Sequence, residues 1–99
     1  MRKKIKPELN KKELDIYYEL KKYIDKNGYS PSYRDLLRTN IYKSIGSIQE
    51  TIIKLLELRF IDAKISINGN ILGRTIKIID SEENNIRLNK IKEQLYEYR

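Results

Sequence analysis

A chain of 99 residues makes one small domain that buries about two-thirds of its unfolded surface, which excludes a second core. With 21 Lys and Arg against 14 Asp and Glu, the net charge of +7 predicts a polyanionic partner, nucleic acid or an acidic membrane surface; the plainer reading is a solubilising surface. No Cys and no His are present, so disulfides, thiolate catalysis and the commonest general base and metal ligand are excluded, and no metal or cofactor is expected.

Residues 1–8 read as an unpaired basic arm. Met1-Arg2-Lys3-Lys4-Ile5-Lys6-Pro7 runs into charged residues where a signal peptide needs an apolar stretch, and no apolar run approaches the roughly 20 residues of a membrane span. A cytoplasmic location without a membrane partner is therefore expected. Residues 9–80 read as one compact unit. Asn10 is the expected cap of a first helix on which Leu14, Tyr17, Leu20, Tyr23 and Ile24 recur at helical spacing until Asn27-Gly28 supplies the stop. Lys11, Lys12, Lys21, Lys22 and Lys26 then face outward. Pro31 bars helix before it, and Ser32 with Asp35 three residues on has capping-box spacing. That predicts a short second helix carrying Leu36 and Leu37 inward and ending near Asn40. A third helix is expected from Ser44, with Ile45, Ile48, Ile52, Leu55 and Leu56 as its buried stripe and Gly46, Ser47, Gln49, Glu50 and Lys54 facing away.

After Phe60 the period changes. Ile61, Ala63, Ile65 and Ile67 alternate with Asp62, Lys64 and Ser66, Asn68-Gly69 is a strong hairpin signal, and residues 75–79 form a second β-branched run. The expected two-stranded ribbon is marginal alone, so its apolar face should lie on the helices with the tip, residues 68–74, exposed. Asp80 or Ser81 can cap a last helix, residues 81–99, with Glu82 and Glu83 at its positive end. The expected fold class is α+β, mainly α: three helices and a two-stranded wing, with an extra C-terminal helix.

A helix pair of this kind presents the N-terminal turn of its second member to the major groove of DNA. Here that turn offers Ser44, Gly46 and Ser47, followed by Gln49 and Glu50. Gln49 suits an adenine edge, Glu50 a cytosine amino group, and the hydroxyls several edges. The competing reading makes Ser44 and Ser47 mere caps and leaves Gln49 and Glu50 solvated. Ser32, Tyr33, Arg34, Lys43, Lys54, Lys64 and Arg74 are the candidates for the DNA backbone, with Lys64 and Arg74 at the ribbon tip placed for backbone or minor groove, although Arg34 can instead pair with Asp35 and strand-edge cations also block aggregation.

Four segments, Leu9-Asn10-Lys11-Lys12-Glu13-Leu14-Asp15-Ile16, Gly28-Tyr29-Ser30-Pro31-Ser32-Tyr33-Arg34-Asp35-Leu36, Lys43-Ser44-Ile45-Gly46-Ser47-Ile48 and Gly73-Arg74-Thr75-Ile76-Lys77-Ile78, resemble the DNA-binding domain of LexA-type SOS repressors. The resemblance covers roughly seven-tenths of the chain. It implies a winged helix-turn-helix, operator binding as a dimer, base reading at Ser44, Gly46, Ser47, Gln49 and Glu50, and backbone contact beside the Gly-Arg segment. The chain departs from that pattern where glycines flank the third helix, since Ile41 and Arg59 stand there. Its wing is several residues longer, and Gly46 has no side chain where a base contact is expected. No segment matches the family's self-cleaving domain, so regulation by self-cleavage is not expected. In its place, Leu88, Ile91, Leu95 and Tyr98 fall at heptad-like spacing, with Ile86 on the flank. That seam either folds back on the core or pairs with a second subunit as a dimerisation element; it also suits a foreign partner.

The sequence thus predicts a non-enzymatic regulator of bacterial, phage or mobile-element type, a dimeric repressor that binds duplex DNA. Two alternatives stand beside it. One is a protein-binding winged helix, an antirepressor or a heterodimer partner. The other is a nonspecific nucleic-acid binder using some of the eight Tyr as stacking platforms.

Overall fold

The computed structural model describes residues 6–96. Its elements are α1 (Lys11–Asn27), α2 (Tyr33–Leu37), α3 (Ile45–Glu57), β1 (Ile61–Asp62), β2 (Lys77–Ile78) and α4 (Glu82–Tyr96). The architecture is mainly helical with one two-stranded antiparallel sheet, an α+β arrangement. No helix among the described residues is long and apolar enough to cross a membrane.

Each of the first three helices starts at a side-chain cap. The Asn10 carboxamide oxygen accepts from the Glu13 N–H at 2.9 Å, and the Glu13 carboxylate accepts from the Asn10 N–H at 2.8 Å. Gly28 closes α1 in the left-handed region, φ 81°, with its N–H on the Ile24 carbonyl. Ser32 and Asp35 form a second reciprocal pair at the start of α2, and Ser44 caps α3 through the Ser47 N–H. Leu14, Ile16, Tyr17 and Leu20 of α1, Leu36 of α2, and Ile48, Ile52 and Leu55 of α3 converge in one core with Leu9, Phe60, Ile61 and Ile76. Ile45 is a correction: it lies 40% exposed instead of closing the buried stripe, because α3 tucks in only from Ile48 onward.

The missing glycines are replaced in two ways. Before α3 the left-handed residue is Asn40, φ 62°, one position ahead of Ile41; asparagine tolerates that region better than a β-branched side chain. After α3, Arg59 itself takes φ 65°. The Phe60 N–H reaches the Leu55 carbonyl at 3.0 Å and the Arg59 N–H the Leu56 carbonyl at 3.1 Å, a Schellman closure with Phe60 and Leu55 both buried beneath it. A left-handed arginine costs about 1–2 kcal/mol, partly offset by its smaller entropy loss relative to glycine. Arg59→Gly is expected to raise stability by about 0.5–1 kcal/mol in urea unfolding. A neutral or destabilising result would show that the closure carries no strain.

The ribbon is shorter at its base than the alternation predicts. Ile61 pairs with Ile78 and Asp62 with Lys77; beyond them only the bridge Ile65–Ile71 continues the ladder. A second turn at residues 72–75 interrupts it, with Arg74 at φ 59° and the Thr75 hydroxyl donating to the Leu72 carbonyl at 2.7 Å. Ile65 and Ile67 are consequently exposed, since the helices' apolar faces are already covered by Phe60, Ile61 and Ile76.

The C-terminal helix α4 packs on the chain's own core. Ser81 caps α4 by accepting from the Asn84 N–H, and Leu88 and Ile91 are buried in the same core as α1 and α3, with Leu95 packed at its edge. Of the two readings of the seam, folding back on the core is the one that Leu88, Ile91 and Leu95 take within the chain; Tyr98 lies outside the described residues. A polar anchor completes the dock. The Asn84 amide donates to the Arg59 and Ile79 carbonyls at 2.9 and 3.0 Å and accepts from Arg87 at 2.9 Å. Arg87 also donates to the Leu58 carbonyl and to both oxygens of Glu8, and stacks 4.0 Å from the Phe60 ring centroid. Glu8 therefore does not belong to an unpaired arm.

The bidentate Arg87 contact holds the Glu8 carboxyl below its ordinary 4.5, against a smaller opposing effect of burial. A depressed carboxylate contributes stability that is present above its unfolded pKa and lost as pH falls through the folded one. Stability should decline on acidification below about pH 4.5, and Glu8→Gln should flatten that part of the profile in urea titrations. An identical slope in the variant would remove Glu8 from the acid response.

Candidate functional site

Because α3 turns Ile48, Thr51, Ile52 and Leu55 inward, its opposite side is left outside the core. Gly46 and Glu50 are exposed and Ser47 and Gln49 half-buried along its first two turns. A Cβ placed on Gly46 would meet nothing within 4 Å, so the helix backbone there is open to close approach. Ser44 is exposed and its hydroxyl has two internal tasks: it accepts from the Ser47 N–H at 3.2 Å and donates to the Ser47 hydroxyl at 3.0 Å. Ser47 keeps its own hydroxyl proton for an outside acceptor. Ile45 and Ile53 flank Gln49 at i, i+4 spacing on this side, 40% and 41% exposed.

The candidate cations divide into free and engaged ones. Arg34 and Lys43 are exposed and form no ion pair among the described residues. Arg34 sits on α2, which packs more extensively on α3 than any other element does. Lys64 is exposed on the ribbon. Lys54 pairs with α1, its Nζ 2.8 Å from the Glu13 carboxylate, which is buried and needs a counter-charge. Ser32 is spent on its cap. Tyr33 is half-buried against the core, and burial raises its phenol pKa. Tyr42, beside the same turn, is held by the Thr51 hydroxyl at 2.9 Å.

Arg74 is also engaged. Its guanidinium donates to the Ser30 carbonyl at 3.2 Å, lies 4.8 Å from the Tyr29 ring centroid and 3.7 Å from Asp35. Asp35 accepts first from the Ser32 N–H, then from Tyr23, and these hydrogen bonds hold its carboxyl below the ordinary range. The Arg34–Asp35 pairing that the sequence left open is therefore not the one formed; Arg38 and Arg74 are the cations facing Asp35. Ser30, fully buried, accepts from the Ile76 N–H at 3.2 Å, so the loop before α2 and the ribbon are tied by two contacts. This tie was hidden in the sequence, where Ser30 reads only as a loop residue.

The first two turns of α3 thus bring Ser44, Gly46, Ser47, Gln49 and Glu50 onto one element, with Arg34 and Lys43 on the elements that lead into it. Lys54 and Arg74, with side chains 42% and 49% exposed, are engaged by Glu13 and by Ser30 and Asp35. Comparison with protein-family models, with curated proteins and with solved structures gives no match for this chain.

Proposed function

We propose that this chain is a sequence-specific, duplex-DNA-binding transcriptional regulator of winged helix-turn-helix form, most simply a cytoplasmic dimeric repressor that acts by occupying its site and performs no catalysis. The observation that carries the reading is the outer side of the N-terminal half of α3, with Arg34 and Lys43, which form no ion pair among the described residues, on the chain leading into it. In this reading α3 lies in the major groove, where Gln49 pairs with an adenine edge, Glu50 accepts from a cytosine amino group and Ser47 donates to a base acceptor. Gly46 admits the helix closely. Arg34, Lys43 and Lys64 contact phosphates, and Arg74 acts indirectly by holding the ribbon against the loop at Ser30. The subunit contact lies outside the Leu88–Ile91 stripe, which is occupied.

Selection from a random duplex library at near-physiological salt tests the proposal. The expected result is an enriched palindrome whose affinity falls steeply with salt as counterions are released. A folded protein that enriches no sequence would overturn sequence-specific binding. A second reading has one observation in its favour: Ile45 and Ile53 give the outer side of α3 an apolar character that suits a protein partner. Weak, sequence-independent duplex affinity beside tight subunit exchange with another regulator would establish that role instead.

A further inference from the structure

The most exposed large apolar side chain among the described residues is Ile67, at 102% relative accessibility on the tip of the outer hairpin. Turn tips ordinarily carry polar residues, and an isoleucine there keeps its whole apolar surface in water and gains nothing from burial. The tip is nevertheless well built. The Ser66 N–H donates to the Asn70 carbonyl at 2.7 Å, the Gly69 N–H to the Ser66 carbonyl at 2.9 Å, and the Asn70 N–H to the Ser66 hydroxyl at 3.2 Å. Gly69 at φ 85° closes a three-residue loop instead of the two-residue turn that Asn-Gly favours. Residues 65–73 contain no charge, in a chain that is 35% charged, and Lys64 stands at the base of this neutral stretch.

We propose that Ile67 is an apolar wedge that enters the minor groove of the bound duplex and partly unstacks one base step. This rests on the duplex-DNA reading above and specifies what the ribbon does there. A wedge must be bulky, apolar and stiff; isoleucine has a restricted χ1, and the hydrogen-bonded loop holds its backbone in place. It must also reach. The three residues from Lys64 to Ile67 span roughly 10 Å, against a groove depth of about 7.5 Å, so a cation at Lys64 can stay at the phosphates while the tip meets the bases. The carboxamides of Asn68 and Asn70, both exposed, supply donors for the groove-floor acceptors of A·T pairs. An uncharged tip leaves water for the groove without the cost of dehydrating an ion, which gives the neutral stretch a physical role.

Other occupants fit less well. A second copy brings another +7 charge, and one narrow hairpin tip falls far short of the about 800 Å² per partner that a stable interface buries. A single isoleucine is also too little apolar area to anchor a protein to a membrane.

The test uses a duplex recovered by selection, with 2-aminopurine placed at successive positions and fluorophores at its ends. The expected result is a fluorescence rise at one step, preferentially a pyrimidine–purine step, together with a bend. Ile67→Leu should keep both signals, whereas Ile67→Ser should lose them and bind about tenfold more weakly. Ile67 touches no core residue, so the serine variant should unfold at the same temperature as the parent. Tight binding without any position-specific rise would overturn the wedge and leave DNA binding intact; absence of duplex binding would overturn both. A DNA-free dimer that Ile67→Ser dissolves in sedimentation would reassign the tip to self-contact and refute the wedge.

Discussion

Asn84→Leu should destabilise the protein by about 3 kcal/mol, on the order of 15 °C in melting temperature for a domain of this size. Leucine keeps the same branched heavy-atom outline with bulkier methyl groups, and it favours helix, so the substitution opens no cavity and loses no helix propensity. What is lost is the pairing of a side chain only 4% exposed: the carbonyls of Arg59 and Ile79 lose their donor, and Arg87 loses an acceptor. Leaving buried polar groups unmatched costs about 1–3 kcal/mol each, more than the hydrophobic gain returns. Asn85→Leu, on the exposed side of the same helix, is the control and should stay within about 0.5 kcal/mol. Equal stabilities for the two variants would mean that Leu88 and Ile91 alone hold α4. Sedimentation should show no change in association for either, because this stripe is internal. Leu95→Lys, which the heptad reading expects to split a dimer, should instead weaken packing at the edge of the core.

Gln49→Ala should reduce affinity for the selected duplex by about 1–3 kcal/mol while leaving random duplex nearly unaffected. Only a base-reading side chain discriminates in this way, since phosphate contacts are common to every sequence. Arg34→Ala should, by contrast, weaken both duplexes alike and reduce the salt slope by about one. Competition binding at two salt concentrations measures both effects. Equal losses on the two duplexes for Gln49→Ala would remove it from base reading.

The helical part of the fold was legible because its signals are local. Asn10, Ser32 and Ser44 announce their helices by capping chemistry, Gly28 ends α1, and the stripe Ile48, Ile52, Leu55 follows the helical period. Ile45 fits the same period and was misplaced, because periodicity marks a face but not how far along a helix the neighbouring elements extend. Ile65 and Ile67 failed for a related reason. Alternation signals a strand with one apolar face, and only the supply of covering surface decides whether that face is buried. The candidate site divides similarly: Gly46, Gln49 and Glu50 were legible as the outer side of a helix, whereas the engagement of Lys54 by Glu13 and of Arg74 by Ser30 joins residues distant in sequence.

By itself, then, the sequence determined the helices, their starts, the ribbon's position and the excess of positive charge, all properties of neighbouring residues and of composition. The tertiary structure decided which cations remain free, where the left-handed residues fall, and that α4 closes the chain's own core. Those outcomes depend on long-range competition for a limited apolar surface and for a few partly buried carbonyls, which Asn84 and Arg87 win at the end of α3.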